Sequence, residues 1–236
     1  MTEILSVKGL TATFDGFCAV DNLNFSVMED ELRVVIGPNG AGKTTLLDLI
    51  CGKTKPTQGS VRFKGQELTG LIDYQITRAG IGRKFQTPSI YQDLTVFENL
   101  EISYPEKRSV IGSLFFQCTS EISEKIHTVA GQIFLLEEID TKAGLLSHGE
   151  KQWLEIGLLL MQDPDLMLLD EPVAGMSARE RDLTAELLGT ISNGRAVVLI
   201  EHDMAFVEKI AHTVTVLHQG KLLAEEIGRA SCRERV

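Results

Sequence analysis

One short stretch limits most strongly what this chain can fold into. Residues 37–44 read GPNGAGKT and fit the pattern G-x-x-x-x-G-K-[ST] without a mismatch. A short apolar run, Leu32–Ile36, precedes the stretch, and a helical pattern, Lys43–Ile50, begins within it. This context predicts a loop between a buried parallel strand and a helix.

Such a loop is suited to binding phosphate groups. Glycines let the backbone wrap closely around an anion, and the first helical turn directs N–H groups towards it. Lys43 supplies a cation for the β- and γ-phosphates of a nucleoside triphosphate, and Thr44 supplies a hydroxyl for Mg²⁺. The residues predicted to bind ATP here are Gly37, Pro38, Asn39, Gly40, Ala41, Gly42, Lys43, Thr44 and Thr45.

A second apolar strand pattern ends in two carboxylates. Residues 166–169 read LMLL, and Asp170 and Glu171 follow them directly. Asp170 is predicted to hold Mg²⁺ through water, and Glu171 to act as the general base that polarises the attacking water. Two acidic residues after a strand are common, but together with the phosphate loop they indicate a nucleoside triphosphatase.

The first part of the chain and its last part predict an α/β core. Short apolar runs alternate there with helical patterns, which is typical of a parallel sheet covered on both faces. Residues 4–14 and 19–27 are rich in branched and aromatic side chains and predict two strands joined by a turn at Asp15 and Gly16.

The middle of the chain has a different sequence pattern. Its patterns are helical, for example at 121–137 and 149–161, which predicts a helical subdomain at 86–163 inserted into a core formed by 1–85 and 164–227. The last residues, 228–236, read GRASCRERV and break the preceding strand pattern, so we interpret them as a non-native tail.

Composition narrows the class of protein further. The formal net charge of −10 argues against nucleic acid as a partner. No apolar run approaches 18 residues and the amino terminus lacks a secretion signal, so we expect a cytoplasmic protein. The cysteines, at 18, 51, 118 and 232, are far apart and are expected to be free thiols.

A third motif carries a family resemblance. Residues 146–150 read LSHGE, which resembles the LSGGQ signature of the ABC ATPase family. Ser147 and Gly149 match the signature residues that, in the family, contact the γ-phosphate bound by the opposite subunit. The motif opens a helix, where Ser147 would be an N-cap. His148 and Glu150 depart from the usual glycine and glutamine.

Other parts of the family pattern follow in order. The resemblance implies that Gln86 senses Mg²⁺ and the membrane partner, and that His202 contacts the γ-phosphate. Phe14 aligns with the aromatic residue that stacks on adenine, with Phe17 as the alternative. Ser177 stands where the family's D-loop usually has aspartate, which puts that loop's contact across the dimer in doubt.

The resemblance is closest to the ATPases of branched-chain amino acid importers, on residues 81–86 and 94–100. The run 147–157, SHGEKQWLEIG, is similar to the ATP-binding subunit of a urea ABC transporter. This implies a P-loop NTPase of the ABC ATPase type, with a mostly parallel core sheet, an antiparallel β subdomain and an inserted helical subdomain. The expected solute is urea, with branched-chain amino acids as the alternative.

The resemblance also implies partners. They are transmembrane permease subunits, a second ABC ATPase subunit, identical or paralogous, in a head-to-tail dimer, and indirectly a periplasmic solute-binding protein. The chain would then lie peripherally on the cytoplasmic face of the inner membrane. Two rival hypotheses remain: a soluble ABC ATPase of DNA repair or translation, and a nucleotide sensor without hydrolysis.

Overall fold

The structure is a computed structural model, and it describes residues 2–84, 90–105 and 118–227. The tail predicted at 228–236 lies outside the described residues. In chain order the strands are β1 (Glu3–Phe14), β2 (Phe17–Met28), β3 (Leu32–Ile36), β4 (Gln58–Phe63), β5 (Gln66–Glu67), β6 (Ile81–Lys84), β7 (Leu166–Asp170), β8 (Ala196–Ile200), β9 (Thr213–His218) and β10 (Lys221–Ile227). The α-helices are α1 (Lys43–Ile50), α2 (Asp73–Arg78), α3 (Val96–Ile102), α4 (Ser120–Gln132), α5 (His148–Met161), α6 (Ala178–Ser192) and α7 (Met204–Ile210).

In the described part of the chain, one sheet has the strand order β10-β9-β3-β8-β7-β6. Strands β9, β3, β8 and β7 pair in parallel, and β10 is antiparallel to β9. Every residue of β7 and β8 is buried, as expected for continuous apolar runs in a sheet covered on both faces. The parallel register aligns the carboxyl ends of β3, β8 and β7, which are the ends that carry the predicted site residues.

A second, antiparallel sheet has the order β2-β1-β4-β5. The turn between β1 and β2 lies at Asp15 and Gly16, whose φ values are 45° and 84°. Two consecutive positive φ values suit a tight hairpin between twisted strands. The predicted α/β class, with a mostly parallel sheet and an antiparallel one, is confirmed by these two sheets.

The described residues separate into two compact units. The first, the core unit, comprises those within Met1–Arg83, Pro164–Pro172 and Leu188–Val236. Its interior joins side chains of both sheets and α1, all buried, among them Val35, Leu46, Phe63, Leu168 and Val198. The second, the helical unit, comprises the described residues within Lys84–Asp163 and Val173–Leu187.

In the helical unit, α5 packs closely against its neighbours at Gly157. A methyl group on Gly157 would lie 2.5 Å from Ile133 Cδ1 and 3.1 Å from Leu100 Cδ2, so the absence of a side chain lets the helices approach. Trp153, also on α5, donates a hydrogen bond from its indole nitrogen to Thr184 Oγ1 at 2.8 Å. These contacts hold α5 firmly in its unit.

Helix α4 is shorter than the predicted helix at 121–137. It ends at Gln132 because Phe134 takes a left-handed φ of 60°. The Leu135 amide then donates to Ala130 O at 2.8 Å and the Phe134 amide to Gly131 O at 3.3 Å, which is the Schellman pattern of a helix end. This turn buries Ile133 and Leu135 completely, so packing determines where the helix stops.

Within 2–84, 90–105 and 118–227, no helix combines the length and the apolar character needed to cross a bilayer.

Candidate active site

The loop from Gly37 to Gly42 follows a backbone path that requires glycine at both ends. Gly37 and Gly42 have φ values of 151° and 95°. A methyl group on Gly42 would lie closer than 3.0 Å to the Ala19 carbonyl oxygen, and one on Gly37 would lie as close to that of Leu217. A methyl group on Gly40 would meet nothing within 4 Å. Both ends of this loop therefore lie close to neighbouring backbone, whereas Gly40 in its middle has free space around it.

Helix α1 begins directly after this loop, with Gly42 as its N-cap in the left-handed conformation. Because Gly42 has no side chain to accept hydrogen bonds from the first turn, the amides at this helix terminus remain available to an anion. Thr45 lies half-buried in the same turn, and Pro38, Asn39 and Gly40 are exposed. The arrangement is suited to binding phosphate groups with backbone N–H donors.

Lys43 lies across the loop. Its ammonium group donates to Gly37 O at 2.7 Å and to Pro38 O at 3.0 Å. A lysine ammonium has three donors, so one remains for a phosphate oxygen even while both carbonyl bonds persist. The loop thus orients its own cation.

Thr44 and Asp170 connect the loop to the end of strand β7. Thr44 Oγ1 donates a hydrogen bond to Asp170 Oδ2 at 3.1 Å. Asp170 is only 2% exposed, whereas Thr44 is half-buried. Thr44 and Asp170 are therefore in contact although they lie 126 positions apart in the sequence. Lys43 directly precedes Thr44.

The electrostatics of Asp170 are dominated by burial. Burial raises the pKa of Asp170 above its ordinary value, although the hydrogen bond from Thr44 and the nearby Arg83 guanidinium act in the opposite direction. A cation bound beside Asp170 would stabilise its ionised carboxylate, because the cation offsets the hydration that the carboxylate loses on burial.

The donor set at Thr44 and Asp170 fits Mg²⁺. A hydroxyl and a carboxylate are oxygen ligands, and Mg²⁺ is usually bound by one or two protein oxygens together with substrate phosphates and water. Among residues 2–84, 90–105 and 118–227, no group of three or more His, Cys, Asp and Glu side chains is arranged to hold a metal ion. One hydroxyl and one carboxylate leave coordination positions of Mg²⁺ for nucleotide phosphates and water.

Glu171 and His202 lie at the ends of adjacent strands, β7 and β8. Glu171 has a left-handed φ of 48°, and its amide donates to Ile200 O at 3.0 Å. A non-glycine residue in this region costs roughly 1–3 kcal/mol, and such strain concentrates at functional sites. His202 Nδ1 lies 3.7 Å from Glu171 Oε1, with side chains 67% and 41% exposed. Both side chains are therefore accessible to solvent, which agrees with the roles predicted for them.

The two candidate aromatic residues stand at the tip of the β1–β2 hairpin. Phe14 and Phe17 are register partners there, and both are exposed, at 44% and 64%. Further along β2, Ala19 and Val20 contact the position of Gly42, so this hairpin leads to the phosphate loop. Both rings remain candidates for stacking on adenine.

In the helical unit, Ser147 is the N-cap of α5. Its hydroxyl accepts from the Glu150 amide at 3.3 Å, and Glu150 Oε2 accepts from the Ser147 amide at 2.7 Å. This is a capping box, in which either glutamate or glutamine can occupy the third helical position. Gly149 is buried, and a methyl group there would overlap the Glu180 carboxylate.

The structure thus brings Thr44, Asp170, Glu171 and His202 to one edge of the parallel sheet, next to the loop of residues 37–42. Ser147 and Gly149 begin a helix of the other unit. Gln86 lies outside the described residues. The assigned roles of all these residues remain predictions.

Two charged residues near this edge were given no role from the sequence. Arg83 is paired with Asp48 on α1, with a side chain only 5% exposed, and acts electrostatically on Asp170. Glu201 is 1% exposed, and its Oε2 accepts from the His202 amide at 3.1 Å. For Glu201 the available signal was a charged residue directly after the apolar strand β8, whereas Arg83 lies inside the short strand β6 and no such signal marks it.

Comparison with known proteins identifies the family. The profile described as "ABC transporter" matches residues 20–174, which is more than half of the chain. The high-affinity branched-chain amino acid transport ATP-binding protein LivG of Escherichia coli (strain K12) is 36% identical over 230 residues, covering 94% of this chain and 90% of that protein. BraF of Pseudomonas aeruginosa, which carries the same description, is 35% identical over 232 residues, covering 94% and 91%.

Solved structures agree. An ATP-binding cassette of an ABC transporter in its ADP conformation superposes with a TM-score of 0.86 at 31% identity, covering 99% of this chain and 94% of that one. A nucleotide-free cassette gives 0.83 at 30% identity, covering 99% and 94%. A dimeric cassette in a post-hydrolysis state with ADP and Pi gives 0.80 at 25% identity, covering 96% and 99%. The predicted P-loop NTPase fold of the ABC type is therefore confirmed, and this chain belongs to the ABC transporter family as one of its ATP-hydrolysing cassettes.

Proposed function

We propose that this chain is the ATP-hydrolysing subunit of an importer of branched-chain amino acids. The relatives described above bear that name, and the chain covers about nine-tenths of their length. The solute expected first from residues 147–157 was urea. The names of these relatives give urea no support and favour the alternative, so urea becomes an outcome of the test.

The observation that carries the catalytic part of the proposal is the hydrogen bond between Thr44 and Asp170. It brings the phosphate loop and the acidic strand end into one site. Loop amides and Lys43 would bind the triphosphate, while Thr44 and Asp170, with Gln86, would hold Mg²⁺. When bound, Mg²⁺ neutralises phosphate charge and orients the nucleotide.

Glu171 is proposed as the general base. Its carboxylate is exposed enough to reach water, and the left-handed backbone directs the residue away from the course of β7. It would accept a proton from the water that attacks the γ-phosphate. His202, 3.7 Å from it, would donate a hydrogen bond to the γ-phosphate oxygen that gains charge.

The proposed working form is a head-to-tail dimer with a second cassette, identical or paralogous. Ser147 and Gly149 of one subunit would cover the γ-phosphate held by the other, with amides at the start of α5 facing the anion. ATP would favour the closed dimer and hydrolysis would release it, which shifts the population between two states. Permease subunits would transmit this change on the cytoplasmic face of the membrane, and a periplasmic binding protein would deliver the solute.

The test is uptake by the purified transporter in proteoliposomes, with ATP enclosed on the cassette side and a binding protein outside. Radiolabelled leucine and radiolabelled urea are compared, and Glu171→Gln is the hydrolysis-deficient control. We expect ATP-dependent leucine uptake that this substitution abolishes. Uptake of urea alone would overturn the assignment of the solute.

The same preparation separates the rival hypotheses. Steady-state phosphate release is measured with Mg²⁺-ATP in the presence of permease and partner. Absence of hydrolysis would favour a nucleotide sensor. Failure to co-purify with any membrane permease would favour a non-transport ATPase.

A further inference from the structure

A loop between Glu171 and α6 lies against the first turn of α5 within the helical unit. We name residues 173–177 the crest loop. Val173 and Met176 are buried, and Met176 N donates to Val173 O at 3.1 Å, so the loop is anchored near both ends. Between these anchors, Ala174 and Gly175 reach the surface.

His148 contacts this exposed part of the crest loop. Its Nε2 lies 3.0 Å from Ala174 O. A carbonyl oxygen only accepts hydrogen bonds, so His148 is the donor in this contact, through Nε2–H. A methyl group on Gly175 would lie 3.1 Å from the same nitrogen, so the imidazole lies directly against the backbone of the loop.

Glu180 forms a second connection between the same two segments. Its Oε2 accepts from the Ser177 amide at 2.7 Å, and its amide donates to the Ser177 hydroxyl at 3.3 Å. Its Oε1 occupies the space beside Gly149 that a side chain would need. The hydrogen bonds from Ser177, helped by His148, lower the pKa of Glu180 and keep it ionised.

Two of the three residues that depart from the family pattern, His148 and Ser177, therefore take part in one local structure. We propose that His148 is a positioning residue for ATP hydrolysis, which holds the crest loop against the turn of residues 147–149 so that both meet the second cassette as one surface. The proposal rests on the proposed function, because it requires a second cassette at this surface. His148 is exposed, so its bond contributes to local order rather than to the hydrophobic core.

The test compares His148→Ala with His148→Gln, because a glutamine amide can place a donor near the position of Nε2. The matched control is His127→Ala. His127 is also an exposed histidine of the helical unit whose ring nitrogen bonds a backbone carbonyl, that of Ser123 at 2.7 Å, but it lies on α4. Each variant is made in the full chain, and its kcat and KM for Mg²⁺-ATP are measured in the assembled transporter.

We expect His148→Ala to lower kcat about two- to tenfold, which corresponds to the loss of one net hydrogen bond. The KM for ATP should change little, because the phosphate loop is untouched. His148→Gln should restore most of kcat, and His127→Ala should match the wild type. In a Glu171→Gln background, His148→Ala should also weaken ATP-dependent dimerisation, measured by sedimentation, with an unchanged melting temperature.

Wild-type kcat and dimerisation in His148→Ala would overturn the positioning role and leave the proposed function standing. An equal loss of kcat in His148→Gln and His148→Ala would also overturn the positioning role, because the hydrogen-bond donor of glutamine would then not restore activity. If the wild type does not hydrolyse ATP and the Glu171→Gln variant does not dimerise with ATP, the proposed function is wrong. The positioning role, which rests on that function, is then wrong as well.

Discussion

Replacing Gly42 with alanine tests the physical basis of the phosphate loop. Gly42 combines a φ of 95° with neighbours on several sides: the Ala19 carbonyl oxygen within 3.0 Å of an added methyl group, Val20 Cγ2 at 3.4 Å and Gly220 Cα at 3.5 Å. Two of these neighbours are backbone atoms, which cannot rotate away. The substitution therefore strains the loop itself and also pushes it away from β2.

The magnitude follows from two contributions. A left-handed conformation costs a residue with a side chain about 1–2 kcal/mol. Overpacking against a fixed neighbour adds roughly 1–3 kcal/mol. We therefore expect Gly42→Ala to lower the free energy of unfolding by about 2–5 kcal/mol, a large part of a typical total of roughly 5–15 kcal/mol.

Gly65 offers a matched control. Its φ is 79°, and an added methyl group would meet nothing within 4 Å, so Gly65→Ala should show only the backbone contribution, about 1–2 kcal/mol. Both variants are unfolded in urea and followed by circular dichroism, and their ATP affinities are measured by titration calorimetry. Gly42→Ala should also lose ATP affinity, whereas Gly65→Ala should keep it.

An equal effect of the two substitutions on unfolding, with ATP affinity intact in both, would refute this reasoning. The close approach of the loop to Ala19 would then place no constraint on residue 42.

Three further substitutions test individual site residues. Burial raises the pKa of Asp170 above its ordinary 3.8, so ionisation of Asp170 destabilises the fold as pH rises through the raised pKa. Asp170→Asn should therefore unfold at a higher urea concentration than the wild type at about pH 7, and the difference should be smaller at about pH 4. The same variant should lose ATP hydrolysis. Glu171→Gln should bind ATP normally in calorimetry but release phosphate about 10²–10⁴-fold more slowly, as expected for loss of a general base. Lys43→Ala should lose ATP affinity with almost unchanged urea unfolding, because its hydrogen bonds to Gly37 O and Pro38 O stay within its own loop.

Features fixed by neighbouring residues were predictable from the sequence. The sequence around residues 37–44 predicts a strand, a glycine-containing loop and a helix within one short stretch. The structure has the strand β3 and the helix α1 at the predicted bounds. The meeting of this loop with Asp170 was predictable for a different reason. Parallel strands align their carboxyl ends, so residues after β3 and β7 share one edge whatever length of chain lies between them.

Features fixed by the packing of side chains from distant parts of the chain were not predictable. The sequence offers no reason for α4 to stop at Gln132, because Phe134 is neither glycine nor asparagine. Ile133 and Leu135, on either side of the left-handed residue, are both fully buried, and Ile133 lies against Gly157 of α5. The steric requirement for Gly42 is similar, since its partner Ala19 belongs to another sheet.

The departures from the family signature show how the two kinds of information combine. Ser147 with Glu150 and Ser177 with Glu180 both follow the pattern S-x-x-E, and both form reciprocal capping bonds at the start of a helix. Helix physics alone therefore accounts for Glu150 and gives Ser177 a function that needs no contact with another subunit. His148 is different, because its partner Ala174 lies 26 residues further along and no local pattern points to it. The resemblance to the LSGGQ signature marks His148 as a departure, and only the fold supplies its partner Ala174, so substituting His148 tests the proposed contact with a second cassette.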